Sequence, residues 1–138
     1  AMRNTGMICL LDQGEYGNIH PTNKRPVGER LAELAGAILY GGGLVSPRAE
    51  GKYTRGNCLT VCLSEPVTVR GGEKPALLEI AGEDEVYVPA EAEVTGQTLR
   101  LRAEGVKRPL HARYAWTDWS DRVNLFGMNG LPLEPFCL

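Results

Sequence analysis

The chain has few serines, and none of them is placed to act as a nucleophile. Serine occurs at only three of the 138 positions, Ser46, Ser64 and Ser120. None of the three lies in a glycine-rich turn between a strand and a helix, which is where α/β hydrolases expose the attacking hydroxyl. The run Gly41 to Gly43 lacks the lysine and the hydroxyl residue of a phosphate loop, so it predicts only the end of a helix.

The charge and hydropathy of the chain exclude two further classes of function. The net charge is -2 and the isoelectric point is near 5.7, and the lysines and arginines are scattered, so there is no basic surface for nucleic acid. No apolar run approaches the roughly 18 residues that a membrane helix requires. The sequence also shows no charged and then apolar leader. We therefore expect no nucleic-acid partner, no membrane partner and a cytoplasmic location.

The cysteines predict neither disulfides nor a metal site. A 15.0 kDa chain with an adequate core does not need covalent staples, so reduced thiols are expected. Cys58 and Cys62 are four residues apart in an extended pattern, which places them about 13 Å apart on one sheet face, too far to share a bond or a metal. A zinc site completed by His20 or His111 would need ligands from remote segments. We expect no metal and no other cofactor. The four cysteines are Cys9, Cys58, Cys62 and Cys137.

Hydrophobic periodicity divides the chain near the glycine run into residues 1–43 and residues 44–138. In the first part a short apolar run, Met7 to Leu11, predicts a strand, and a stripe of apolar residues at spacings of three and four predicts an amphipathic helix from Pro26 to Tyr40. Thr22 or Asn23 is placed to cap the start of this helix. The members of the stripe are Val27, Leu31, Leu34, Ala35, Ile38 and Leu39.

The second part reads as mostly β. Short alternating or β-branched runs are separated by glycine-containing turns at the spacing of an antiparallel β-sandwich. The predicted fold class is therefore α+β and mostly β, with a strand-loop-helix unit followed by a sandwich. The predicted strands are Leu59 to Leu63, Val67 to Val69, Ala76 to Ile80, Glu85 to Val88, Thr98 to Arg102 and Leu110 to Trp116.

His20 is the main candidate for a catalytic residue. It lies between the predicted strand and the predicted helix, and such junctions stand at the rim of α/β sheets, where ligands bind. Histidine exchanges protons near neutral pH, so the position predicts a catalytic base. The alternative is a polar residue that caps the helix.

The residues around His20 and several later blocks resemble a known family. The first blocks are Asp12, Gly17-Asn18-Ile19-His20-Pro21-Thr22-Asn23-Lys24, Val27-Gly28-Glu29-Arg30-Leu31-Ala32 and Tyr40-Gly41. The later blocks are Ile80 to Asp84, Val88 to Ala92, Arg113 to Trp116, Asn124-Leu125, Gly130 to Pro132 and Pro135-Phe136. In order and content they are similar to the C-terminal part of sialate O-acetylesterases, which belong to the SGNH hydrolase superfamily. The similar blocks cover nearly the whole chain.

This resemblance implies hydrolysis of acetyl esters on sialic acid or a related acetylated sugar. It implies that residues 1–43 are the end of an SGNH-type catalytic domain and that His20 is the base for a serine nucleophile. Many members place an aspartate three residues before the histidine, but this chain has Gly17 there. The resemblance matches Asp12 to the orienting acid, while Glu15 and a backbone carbonyl are the alternatives.

The absence of a nucleophile turn has two expected consequences. Loss of the nucleophile of a catalytic triad costs about six decades of turnover in a well-studied protease, so we expect this chain alone to be inactive. A lone strand of an α/β sheet would also leave apolar faces and edges exposed. A second copy of the chain, a missing N-terminal catalytic segment or packing against the sandwich would each cover this surface. We expect self-association or association with the catalytic segment.

A non-catalytic alternative comes from three aromatic residues, Tyr114, Trp116 and Trp119. Such a cluster is able to stack on sugar rings, which would indicate a carbohydrate-binding or structural β-sandwich module. Because Tyr114 and Trp116 alternate on one predicted strand, packing in the core or between domains is the competing interpretation. His111 lies on the same strand without a partner in view and is interpreted as structural.

Overall fold

The computed structural model describes residues 4–72 and 74–138. Within these ranges the chain forms one α-helix, α1 (Arg25–Tyr40), a single 3-10 turn (Arg70–Gly72) and ten strands. No helix there is long and apolar enough to cross a bilayer. The strands are β1 (Ala49–Arg55), β2 (Cys58–Leu63), β3 (Val67–Val69), β4 (Leu78–Ala81), β5 (Val88–Pro89), β6 (Glu91–Thr95), β7 (Thr98–Arg102), β8 (His111–Tyr114), β9 (Leu125–Gly127) and β10 (Phe136–Cys137).

The strands form two four-stranded sheets and one two-stranded ribbon. The first sheet has the order β1-β2-β7-β6, the second has the order β10-β8-β4-β5, and the ribbon pairs β3 with β9. Every pairing is antiparallel. The predicted fold class, α+β and mostly β, is confirmed.

The two sheets pack face to face around one apolar core. In the first sheet Leu59 is opposite Leu101 and Val61 is opposite Leu99, and all four are fully buried. They join one cluster with the buried residues of the second sheet. Each fully buried side chain of this size contributes about 1.5–3 kcal/mol relative to exposure. The second sheet supplies Leu78, Ile80, Ala112, Tyr114 and Phe136.

The strands that sequence patterning missed are short or polar. Four strands were missed, namely β1, β6, β9 and β10. β1 has the sequence AEGKYTR and keeps no residue fully buried, so its alternation carries little apolar signal. The predicted strand from Glu85 to Val88 was too long, because Glu85 has a φ of 54° and closes a turn by donating its N–H to the Gly82 carbonyl at 3.3 Å. Pairing begins only at Val88.

The predicted helix is confirmed, but its predicted cap is wrong. α1 begins at Arg25 and ends at Tyr40, where Gly41 takes a left-handed φ of 69° and Gly42 donates its N–H to the Gly36 carbonyl at 3.3 Å. The N-cap position is Lys24, which makes no capping bond through its side chain. The predicted cap Thr22 instead donates its hydroxyl to Glu15 at 2.8 Å.

The predicted strand Met7 to Leu11 is wrong, because these residues pair with no other strand. We call residues 5–13 the arm. A single apolar segment has no parallel neighbour among the described residues, and it packs against the sandwich instead. Cys9 is buried with its Sγ 3.8 Å from the carbonyl oxygen of Leu133, and Leu11 packs against the core cluster. The division at residues 43 and 44 stays a prediction.

Candidate active site

His20 lies in an exposed loop, residues 15–22, which we call the histidine loop. The loop follows the arm and leads into α1. It opens with a turn in which Asn18 donates its N–H to the Glu15 carbonyl at 3.1 Å. The His20 side chain is exposed to solvent, so its ring is accessible to a reacting group.

The carboxylate of Glu15 closes the histidine loop. Its Oε1 accepts the Thr22 backbone N–H at 2.7 Å and the Thr22 hydroxyl at 2.8 Å, and its Oε2 accepts the Asn18 amide at 2.7 Å. The Asn18 Oδ1 in turn accepts the backbone N–H of His20 at 2.9 Å. The Thr22 backbone hydrogen bond is the largest of the effects that lower the pKa of Glu15 below its ordinary value, and the Thr22 hydroxyl and Asn18 add to it. The loop is therefore held by an ionised carboxylate.

Asp12, the predicted partner of His20, is paired with Arg30 of α1. The Arg30 guanidinium donates to Oδ1 at 2.6 Å and to Oδ2 at 2.7 Å, and it also donates to the Cys9 carbonyl at 2.6 Å. Burial raises the pKa of Asp12, but the hydrogen bonds from Arg30 and Gln13 outweigh burial and hold it below the ordinary value. The described structure shows no hydrogen bond between Asp12 and His20. The carboxylate of Asp12 therefore binds α1 through Arg30 and does not bind His20.

A cavity lies beside the arm on the side of the sandwich. Its volume is about 360 Å³, within the usual range for small-molecule sites. The arm residues from Met7 to Leu11 form one wall, and Trp119 and Glu134 line the others. Burial raises the pKa of Glu134 above its ordinary value, with Arg48 opposing the shift. His20 does not line this cavity or the smaller one of about 270 Å³ between the arm and α1.

The predicted aromatic cluster does not form as one group. Tyr114 is fully buried in the core against Phe136, with ring centroids 5.8 Å apart. Ala115 has a φ of 49°, which ends β8 and turns Trp116 to the surface, where it is 60% exposed. The interpretation of Trp116 as a core residue is therefore wrong, and packing between domains stays a prediction. Trp119 instead contacts Tyr16 of the histidine loop, with ring centroids 5.1 Å apart.

The remaining candidate ligands are dispersed. His111 lies in β8 opposite Ala81. Its interpretation as a structural residue stays a prediction. All four cysteines are free. Across residues 4–72 and 74–138, no three side chains of His, Cys, Asp and Glu are grouped so that they could hold a metal.

α1 exposes apolar side chains that an isolated domain would normally cover. No residue of the helix is buried. Leu31, Leu39 and Tyr40 are 50%, 57% and 85% exposed. Apolar residues on a helix stripe usually face a core, so this helix presents an uncovered surface.

Comparison with solved structures finds a likeness to a carbohydrate acetylesterase. The chain is similar to a crystal structure described as a novel carbohydrate acetylesterase from Xanthomonas citri, with 35% sequence identity and a TM-score of 0.84. The similarity covers 92% of this chain but only 31% of that protein, so the chain spans less than a third of its length. No protein-family model matches the sequence, and no match is found among curated proteins. This likeness supports the resemblance to acetylesterases in general, and it does not support specificity for sialic acid.

Sequence reasoning missed the partner of Asp12. Arg30 shares a helix face with Leu34 and Ile38, the residues that would meet a Cβ added at Gly6 of the arm. A charged residue in register with an apolar stripe requires a partner on the element packed against it. That signal was present in the spacing of the helix, but it indicates only that Arg30 has a partner and not which element carries it.

Proposed function

We propose that this chain supplies the base histidine of a carbohydrate acetylesterase whose serine nucleophile comes from a catalytic segment outside these residues. In this reaction the His20 imidazole accepts the serine proton as the hydroxyl oxygen attacks the acetyl carbonyl, and then gives it to the departing sugar alkoxide. Water repeats the cycle. His20 takes the proton of the water that attacks the acetyl-enzyme, and returns it to the serine as acetate leaves.

The likeness to the Xanthomonas citri acetylesterase is the observation that carries this proposal. It spans 92% of the chain at 35% identity, a level at which the resemblance extends beyond a shared fold. The exposed position of His20 is compatible with this role, because a base must reach the proton that it removes.

The substrate proposed is an acetylated sugar, and acetylated sialic acid is the particular substrate that the family resemblance implies. The Xanthomonas neighbour is described only as acting on carbohydrate, so acetylated neutral sugars are the natural comparison. Substrate choice is measured as the ratio of kcat/KM for the two classes of acetyl ester.

The partner proposed is the catalytic segment itself, docked on the exposed apolar surface of α1. Leu31, Leu39 and Tyr40 are exposed there, and the acetylesterase neighbour has more than twice as many further residues outside the matched region. Association of two copies of this chain is the alternative. Light scattering of the chain alone and of the longest natural reading frame that contains it distinguishes the two, since only the longer product is expected to be monomeric.

The role of Asp12 as the acid that orients His20 stays a prediction. In this structure its two oxygens bind Arg30, so that role requires the carboxylate to exchange one partner for another. Loss of activity on Asp12→Asn would be consistent with either role. Retention of full activity on Asp12→Asn would eliminate the orienting role.

The experiment compares the chain alone with the longest natural reading frame that contains it. Acetate release is measured from a chromogenic acetyl ester, an acetylated sialic acid and an acetylated neutral sugar. We expect turnover only in the longer product, with a loss of roughly three decades or more on His20→Gln. His111→Gln is the matched control and leaves activity unchanged. Turnover by the chain alone, or a His20→Gln variant as active as the control, would overturn the proposal.

The cavity beside the arm favours a second candidate, a carbohydrate-binding module without catalysis. Trp119 lines this cavity, whereas Trp116 is exposed outside it. Calorimetric titration with acetylated and unmodified sugars tests the idea. A binding module requires affinity that Trp119→Ala removes and Trp116→Ala keeps, together with no ester cleavage by the longer product.

A further inference from the structure

The hydrogen bonds of the histidine loop form a relay that ends at the backbone of His20. Glu15 binds the Asn18 amide at 2.7 Å, and the Asn18 oxygen binds the His20 N–H at 2.9 Å. The same carboxylate binds the N–H and hydroxyl of Thr22 on the other side of the histidine. The Glu15 carboxylate therefore binds a residue on each side of His20, Asn18 before it and Thr22 after it.

The orientation of Asn18 in this relay follows from the chemistry of its neighbours. A carboxylate only accepts hydrogen bonds, so the NH₂ of the Asn18 amide must face Glu15. That leaves the amide oxygen for His20, whose backbone N–H only donates.

We infer that Glu15 and Asn18 are positioning residues that fix the place of the His20 ring for acyl transfer. The inference rests on the proposed function and adds a role different from that of a triad acid. Both oxygens of Glu15 accept hydrogen bonds inside the loop, so the residue acts through the backbone rather than on the ring nitrogens.

The loop needs such a device because little else orders it. Residues 15–20 are all exposed, and the aromatic contact of Tyr16 with Trp119 is a point where the loop touches the sandwich. Exposed segments with few apolar contacts open at low cost in free energy. A misplacement of about 1 Å at a reacting group costs on the order of 100-fold in rate, so the order of this loop matters to catalysis.

A reciprocal exchange of side chains tests the relay. Glu15→Gln leaves one acceptor oxygen for the two sides of the loop that Glu15 serves. If the new NH₂ faces Asn18 it meets the Asn18 NH₂, and a flip of Asn18 only moves the conflict to the His20 N–H; if it faces Thr22, the Thr22 N–H loses its acceptor. In either arrangement one side of the loop is released and His20 is held less firmly. The double variant Glu15→Gln/Asn18→Asp restores a complementary order, because the glutamine NH₂ donates to one aspartate oxygen and the other oxygen accepts from His20. Glu104→Gln, a substitution of an exposed glutamate on the sandwich, is the matched control.

In the active longer product, we expect Glu15→Gln to lower kcat by about tenfold, which is the effect of one hydrogen bond of roughly 1.4 kcal/mol. KM should change less than twofold, since the relay touches no substrate. The double variant should recover most of the lost kcat, and Glu104→Gln should match the original protein. A purely structural role would lower the amount of folded enzyme and leave kcat per folded molecule unchanged.

Amide hydrogen exchange at His20 separates this inference from the proposed function, because it needs no activity. Glu15→Gln should speed exchange of the His20 N–H by about tenfold, and the double variant should slow it again. An inactive longer product with this exchange pattern would reject the proposed function and leave the relay in place. Unchanged exchange in Glu15→Gln, or a double variant no better than Glu15→Gln, would overturn the inference.

Discussion

The ion pair between Arg30 and Asp12 should be the main polar tie between α1 and the arm, and its removal is the sharpest test of the fold. The two side chains are only 12% and 16% exposed, and they meet at 2.6 Å with a second hydrogen bond at 2.7 Å. Arg30→Met keeps the apolar length of the side chain but leaves the Asp12 carboxylate half-sequestered without its partner. α1 has no buried residue to compensate.

The expected loss is about 3 kcal/mol in the free energy of local opening of α1. Breaking one side of a buried pair costs 3–5 kcal/mol, and we take the lower end of that range because part of each side chain still meets water. A loss of about 3 kcal/mol corresponds to roughly 150-fold faster exchange of the α1 backbone amides. Native-state hydrogen exchange measures this rate residue by residue.

Arg25→Met on the same helix is the matched control. Arg25 pairs with Glu29 at a similar distance of 2.6 Å, but these side chains are 84% and 58% exposed. Exposed pairs four residues apart on a helix contribute about 0.3–0.5 kcal/mol, so exchange should rise no more than about twofold. Equal exchange rates in the Arg30→Met and Arg25→Met variants would refute the view that the Arg30 pair fastens the helix.

Three further predictions follow from the same structure. The pKa of Glu15 is lowered by the hydrogen bond from Thr22, with help from the nearby Lys24, so the carboxylate stabilises the loop fully above the ordinary glutamate pKa and loses this effect as pH falls through its lowered pKa. Protection of the Thr22 amide against hydrogen exchange should therefore disappear only in acid, and its loss near neutral pH would contradict this prediction. The Tyr114 hydroxyl is buried and makes no hydrogen bond of ordinary geometry among the described residues, although the nearby Leu125 backbone partly opposes the rise that burial causes in its pKa. Tyr114→Phe should therefore change the free energy of unfolding in urea by no more than about 1 kcal/mol, and a larger loss would show that the Leu125 contact is a full hydrogen bond. Gly28→Ala should stabilise α1 by about 1 kcal/mol, because alanine favours a helix more than glycine does and nothing lies near the added methyl group. Gly43→Ala should destabilise the protein, because its methyl group would meet the Glu33 carbonyl of α1 and its φ of 101° disfavours alanine. Equal melting temperatures of the two variants would contradict this prediction.

Periodicity predicted the parts of the fold that depend on regular burial. The stripe in residues 27–39 predicted α1 to within a residue of its start. The predicted strand Leu59 to Leu63 falls within β2, nearly all of which is buried in the core. The edge strand β1 and the two-residue strand β10 were missed, because edge position and length depend on tertiary pairing rather than on local pattern.

The place of His20 in the chain's structure was predictable, and the partners of the residues near it were not. The block around His20 placed the histidine immediately before α1, which the structure reproduces. The position of Asp12 depended on whether Met7 to Leu11 became a strand, and in this chain that segment packs on the sandwich, so Asp12 meets Arg30 instead. The hydrogen bonds of Glu15 were likewise not predictable, because they depend on how the loop folds back over seven residues to bring Thr22 to the carboxylate.

Chemical rescue of His20→Gly in the longest natural reading frame tests the central claim most directly. Because the His20 side chain is exposed, removal of the ring leaves a site that free imidazole is able to enter. The account predicts loss of acetate release on His20→Gly, recovery that rises with imidazole concentration, and no effect of imidazole on the His111→Gln control. Acetate release that survives His20→Gly without imidazole would contradict the claim that this ring is the base.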